Sequence, residues 1–415
     1  MNRSLRRLAL LFVLLPPLPA QDVAPKADRP DASAEAIARI RSALQEACDK
    51  KPFPGCVVAF SLRGQEIHTI PFGKAGEEDL TAESRMFSGS IGKAYLGVIA
   101  ATLAAKGALD LDLRLQKLFD DEAWFADLPN AGDLTLRMLL HHQSGLRDHV
   151  WVKRFQDDLL ASPDKTWTGQ ELLGYLKGSK PLFEAGKGWA YADSNYVLAG
   201  LAIERVTGKD YSTLLREIVL APMGLNETVE STARVLPGLV CGLASGAAFT
   251  DGPVLDEKRR YFVNPQFENR GGGICSSTRD LARFCREIFA GEHVSAKARA
   301  LMCDGVATES RVCERYGLGL ELDNTKFGPR LGHSGFMPGY LSRMSWYPDL
   351  ELAVAIQFDT DDLRGIGRSV EAWTDVVAEA LCPPVEDTKR KDVVPSARRG
   401  EEQLASCIAS SGDRD

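Results

Sequence analysis

The chain has 415 residues, 44% of them hydrophobic and 26% charged, the balance of a globular protein with room for a large catalytic core. A formal net charge of −7, with no basic stripe, excludes an ordinary nucleic-acid binder.

The N-terminus is basic through Arg7, apolar from Leu8 to Leu15, and ends on a small-residue site at Ala20. That order predicts a signal peptide over 1–20 and an exported protein, periplasmic or extracellular. The apolar run is shorter than the ~20 residues of a spanning helix, so no stable membrane anchor is expected after cleavage. Residues 21–33 read as a linker. A helix follows, with Ile37, Ile40, Leu44 and Cys48 on one face. Cys56 to Leu62 and Glu66 to Phe72 read as a hairpin around Arg63-Gly64.

From about 84 to 290 the pattern is mostly helical. Lys93 to Lys106 is apolar nearly all round, the mark of a buried helix, and stops at Gly107. Asn195 to Thr207 repeats this and stops at Gly208. Ser277-x-x-Asp280 caps a third helix carrying Leu281, Phe284 and Ile288. Leu341 to Tyr347 and Glu351 to Phe358 form a second hairpin. A last helix carries Val370, Trp373, Val377 and Leu381, and the charged, Ser-rich tail over 384–415 reads as disordered. Strands near both chain ends with helices between them predict an α+β fold. One antiparallel β-sheet is flanked by N- and C-terminal helices, and an all-helical lobe is inserted in its middle.

The nine cysteines include no Cys-x-x-Cys pair, and His141-His142 are adjacent rather than at helical ligand spacing. No metal or other cofactor is expected. Most of the cysteines read as small buried apolar residues.

Three segments carry chemistry. In Phe87-Ser88-Gly89-Ser90-Ile91-Gly92-Lys93, Ser90 stands where the buried helix starts and Lys93 follows on the same face. A serine hydroxyl needs a neighbouring base, and a helix N-terminus favours the developing anion. Alone the tetrapeptide is commonplace: a helix cap and a surface lysine look the same. Tyr191-Ala192-Asp193 offers a phenol able to relay a proton. Gly332-His333-Ser334-Gly335-Phe336 offers small residues past which a substrate can lie. The Phe336 N–H there would join that of Ser90 in an oxyanion hole. No Gly-x-Ser-x-Gly elbow occurs.

Together these segments resemble the penicillin-binding proteins and serine β-lactamases, particularly the class C-like branch. Ser90-x-x-Lys93 resembles the first family motif, Tyr191-Ala192-Asp193 the second, and His333-Ser334-Gly335 the third. Phe53-Pro54-Gly55, Leu139 to Leu146, Pro222 to Leu225 and Gly271 to Ser277 look like the same family, and the resemblance covers about 34–383. It implies a β-lactamase/transpeptidase-like catalytic domain with Ser90, Lys93 and Tyr191 catalytic. Asp193, His333, Ser334, Gly335 and Phe336 would contact the substrate, a small molecule or peptide. The family's third-motif lysine is His333 here and its asparagine is Asp193, which lowers the charge of the site by up to two units and removes the lysine cation that would hold a substrate carboxylate. An ester or amide hydrolase is therefore expected. D-alanyl-D-alanine carboxypeptidase or β-lactamase activity, and a non-hydrolysing binder or sensor, are the alternatives. Asp193 favours the ammonium form of Lys93, making Tyr191 the preferred immediate base, with Lys93 the other candidate. Substrate identity and oligomeric state are left open.

Overall fold

The computed structural model describes residues 34–383. The expected signal peptide, the linker and the tail lie outside the described residues.

Nine antiparallel strands form the main sheet. From one edge they run Glu78–Asp79, His68–Ala75, Gly55–Leu62, Leu352–Phe358, Tyr340–Tyr347, Gly328–Met337, Glu321–Thr325, Arg315–Tyr316 and Val306–Ala307. The two expected hairpins thus lie side by side, with Cys56 opposite Phe358 and Leu62 opposite Leu352. The three central strands are buried from end to end, because helices cover both faces of the sheet. Alternation sorts their side chains. Val58 and Phe60 pack with Ile40 and Leu44 of the N-terminal helix Ala34–Lys50 and with Trp373 and Val377 of the C-terminal helix Val370–Leu381. Val57 and Ala59 face the opposite core, which holds Leu281, Phe284 and Ile288 of the Thr278–Phe289 helix. Ser277 caps that helix by accepting from the Asp280 N–H at 3.2 Å.

Between the hairpins, the helix Gly92–Ala105 is buried without a break from Gly92 to Ala101. The helix Asp193–Thr207 ends on Gly208, whose φ of +66° gives the left-handed cap that glycine adopts without strain. The stretch read as mostly helical also contains strands. Arg85–Phe87, Ile274–Ser277 and Val229–Glu230 form a three-stranded sheet, and Leu243–Ala248 pairs with Thr250–Pro253. Segments of two to six residues are too short for alternation to register in sequence.

Main chains meet closely where these parts join. A Cβ on Gly92 would lie 1.8 Å from the Gly272 carbonyl oxygen, and one on Gly335 would lie 1.9 Å from that of Ser88. The strand Gly328–Met337 therefore lies directly against the turn that carries Ser90. Gly92→Ala tests the weight of that approach. Helix propensity alone would stabilise the variant by up to about 1 kcal/mol. The backbone clash costs about 1–3 kcal/mol and must win. A lowered Tm is expected; an unchanged or raised Tm would contradict the close approach.

Candidate active site

Ser90 sits half-buried in a 3-10 turn, Gly89–Ile91, that leads into the Gly92–Ala105 helix. Gly89 takes a φ of +52°, and a Cβ there would lie 2.7 Å from the Phe336 nitrogen. One turn on, Lys93 is fully buried. Its ammonium has three N–H groups and three acceptors: Ser90 Oγ at 3.0 Å, the Asp193 carboxylate and the Gly271 carbonyl oxygen. All three contacts are to oxygen atoms able to accept, which matches the three N–H groups of an ammonium. Its Nζ also lies 4.7 Å from the centre of the Tyr191 ring.

Asp193 is the first residue of its helix, where the macrodipole favours a carboxylate. The segment before it is held by the Leu139–Leu146 stretch. His142 Nδ1 lies 3.3 Å from the Ala192 nitrogen and 3.0 Å from Asn195 Nδ2, and Ser144 Oγ bonds the Asn195 side-chain oxygen. Burial first, and then the Lys93 charge, push His142 well below the ordinary imidazole range. It is a neutral acceptor, and the adjacent histidines serve as scaffold.

Two further carboxyls face this centre. Asp148 and Glu268 are pushed up to about 8, each mainly by burial and next by the negative charge of Asp193. Glu268 accepts from the Gly273 N–H at 3.1 Å, and the Gly271 N–H donates to the Glu268 carbonyl at 2.8 Å. These bonds fold the turn whose Gly271 carbonyl meets Lys93.

A cleft of about 110 Å³ opens beside Ser90. It is lined by Ser90, Tyr191, Ser334, Gly335 and Phe336 together with Glu321 and four aliphatic side chains. Five of the eight residues singled out from sequence are therefore brought to one surface. Lys93 and Asp193 lie beneath Ser90, outside that lining.

His333 departs from expectation. It is 1% exposed and lies outside the cleft lining, its Nε2 2.8 Å from the Tyr316 hydroxyl. Desolvation first, then the charge of Lys93, push it down to about 3, so it is neutral throughout the working range. The expectation that it contacts substrate is corrected to that of a buried neutral ring behind the wall. The cause is strand alternation: Ser334 takes the cleft side, and His333 is turned into the core.

Sequence reasoning also missed Glu321 and Arg343. Arg343 is 0% exposed, ion-paired to Glu321, and 3.7 Å from Glu371. Glu321 accepts from the Ser334 hydroxyl at 2.6 Å and from its N–H at 3.2 Å. This buried pair fixes the strand segment that borders Ser90.

Among the described residues no three His, Cys, Asp or Glu side chains converge as a metal site, and no helix is long and apolar enough to cross a membrane. The eight described cysteines are free thiols; Cys275 and Cys285 are fully buried, and burial pushes both thiols up.

The geometry agrees with what comparison with known proteins finds. A family model described as Beta-lactamase matches residues 40–370. The chain belongs to the beta-lactamase family. Penicillin-binding protein 4* of Bacillus subtilis (strain 168) is 27% identical over 315 residues, which are 72% of this chain and 67% of that one. A putative D-alanyl-D-alanine carboxypeptidase of Escherichia coli (strain K12) is 33% identical over 133 residues, 31% of this chain and 29% of that one. Among solved structures, the D-stereospecific amidohydrolase from a Streptomyces species superposes with a TM-score of 0.70 at 26% identity, covering 86% of this chain and all of that one. The D-amino acid amidase of Ochrobactrum anthropi SV3 superposes at 0.71 and 25%, covering 84% and 99%. The family member described here is a serine hydrolase that works through an acyl-enzyme.

Proposed function

We propose that this is an exported hydrolase that cleaves an ester or amide whose recognition does not depend on a substrate carboxylate. Ser90 Oγ attacks the carbonyl carbon as Tyr191, a phenolate beside the Lys93 ammonium, takes the hydroxyl proton. The carbonyl oxygen gathers negative charge against the N–H groups of Ser90 and Phe336. As the carbon–leaving-group bond breaks, Tyr191 returns the proton to the departing atom. Water then cleaves the Ser90 ester by the same relay run in reverse.

The observation that carries the reading is the bonding of Lys93. With its three N–H groups spent on Ser90, Asp193 and Gly271, it holds the nucleophile in place and leaves proton acceptance to Tyr191. The substrate class rests on charge. No lysine, arginine or histidine lines the cleft, and its one ionisable carboxyl belongs to Glu321. A substrate carboxylate would meet no cation there. D-Amino-acid amides belong in the substrate screen because the structural neighbours include a D-amino acid amidase. Export rests on the basic, apolar, small-residue order of the first 20 residues.

The test is kcat/KM for p-nitrophenyl acetate and butyrate against nitrocefin, which carries a carboxylate. The esters are expected to be at least about ten times better, a transition-state difference of about 1.4 kcal/mol. Faster turnover of nitrocefin would overturn the proposal.

A further inference from the structure

Beyond Phe336 the cleft changes character. The lining on that side is Val312, Phe336, Leu341, Leu363 and Val370, contributed by the segment before Arg315–Tyr316, the strands Gly328–Met337 and Tyr340–Tyr347, the loop after Leu352–Phe358 and the start of the C-terminal helix. Arg311 and Arg364 adjoin two of these residues in sequence but are not part of the lining. Val370 and Leu341 also belong to the core between the sheet and the terminal helices, and Phe336 and Leu363 pack against it. Most of the apolar wall is therefore anchored to that core. Such a surface, open beside a nucleophile, exposes apolar area to water whenever no substrate covers it.

We infer that this wall is a subsite for an apolar leaving group, so that the enzyme selects substrates by the uncharged alkyl or aryl part that it releases. The inference rests on the reading of Ser90 as nucleophile and Tyr191 as the group that protonates the departing atom. Tyr191 lines the same cleft, so a leaving group that it protonates departs into the cleft that carries this wall. The cleft is small, about 110 Å³, which suits a short alkyl chain such as butyl. Each buried methylene is worth about 0.8 kcal/mol, or about fourfold in kcat/KM. Glu321, paired with Arg343, presents an already compensated carboxylate, and the pair offers no vacant cation to an anionic leaving group.

The experiment uses thioacetate esters of fixed acyl group, with release of the thiol measured colorimetrically. The series is S-ethyl, S-butyl and S-(3-carboxypropyl), the last being an anionic relative of the butyl compound. Wild-type enzyme is expected to prefer S-butyl to S-ethyl by about tenfold and to reject the carboxylated ester by at least as much. Leu363→Trp, which fills the subsite, is expected to erase the butyl preference, and Val370→Arg to narrow the gap between the butyl and carboxylated esters. Equal rates for the ethyl and butyl esters, or a butyl preference unchanged in Leu363→Trp, would overturn the inference. Labelling of Ser90 by a small fluorophosphonate is measured on the same samples. Labelling at the wild-type rate in both variants together with lost chain-length selectivity supports the subsite. Wild-type labelling of Ser90 without any leaving-group preference sinks the subsite and leaves the nucleophile reading standing. Absence of Ser90 labelling in the wild type defeats both.

Discussion

Lys93→Met is expected to lower kcat/KM on the best ester by about 10³-fold. Methionine preserves most of the volume and none of the charge. Lys93 is fully buried and bonded at once to Ser90, Asp193 and the Gly271 carbonyl. Its loss removes the donor that orients the nucleophile and the buried cation beside it, Nζ lying 4.7 Å from the centre of the Tyr191 ring. Positioned proton transfer contributes about 10²–10⁴-fold, and a single electrostatic stabiliser about 10²–10³. The two act through one group, so they do not simply multiply. Folding is affected less than catalysis, because Asp193, 18% exposed at its side chain, can meet water. Steady-state kinetics alongside circular-dichroism melting separates the two effects. A Lys93→Met enzyme within tenfold of wild type would show that the ammonium is dispensable.

The second large effect is on stability. Arg343→Met is expected to cost about 3–5 kcal/mol, because it leaves Glu321 as an uncompensated charge in the core. Arg343 also donates from Nε to Ser345 Oγ at 3.1 Å, a bond the variant loses although Ser345 Oγ keeps Thr374 Oγ1 at 3.0 Å. The pair itself is a different matter. Desolvation of two buried ions offsets much of their attraction, so Arg343→Met with Glu321→Gln should recover a large part of the loss. Urea unfolding of the two single variants and the double gives the coupling. Additive losses would contradict the picture of one coupled pair.

The nucleophile segment was legible in the sequence because it is local. Ser90 and Lys93 are three residues apart, and helical geometry puts them on one face whatever the rest of the chain does. The two hairpins and the buried helix were legible for the same reason, each being set by a period of its own side chains. What surrounds Lys93 was not. Asp193 lies 100 residues away from it and Gly271 178, and no local pattern marks a glycine whose carbonyl will accept from a lysine. Asp148, Glu268, Glu321 and Arg343 each look in sequence like ordinary surface charges. Their roles follow from burial, which only the assembled sheet and loops create. His333 illustrates the converse. The motif it belongs to was rightly placed against the nucleophile turn, but one step of strand alternation puts its ring behind the wall and the Ser334 side chain in front.

The central claim is that Ser90 becomes the acyl-enzyme. Its most direct test is to react the protein with a fluorophosphonate, digest it and map the modified peptide by mass spectrometry. The expected result is a single adduct on Ser90, with no labelling and no ester hydrolysis in Ser90→Ala. An adduct at any other residue, or full hydrolysis by Ser90→Ala, would contradict the account.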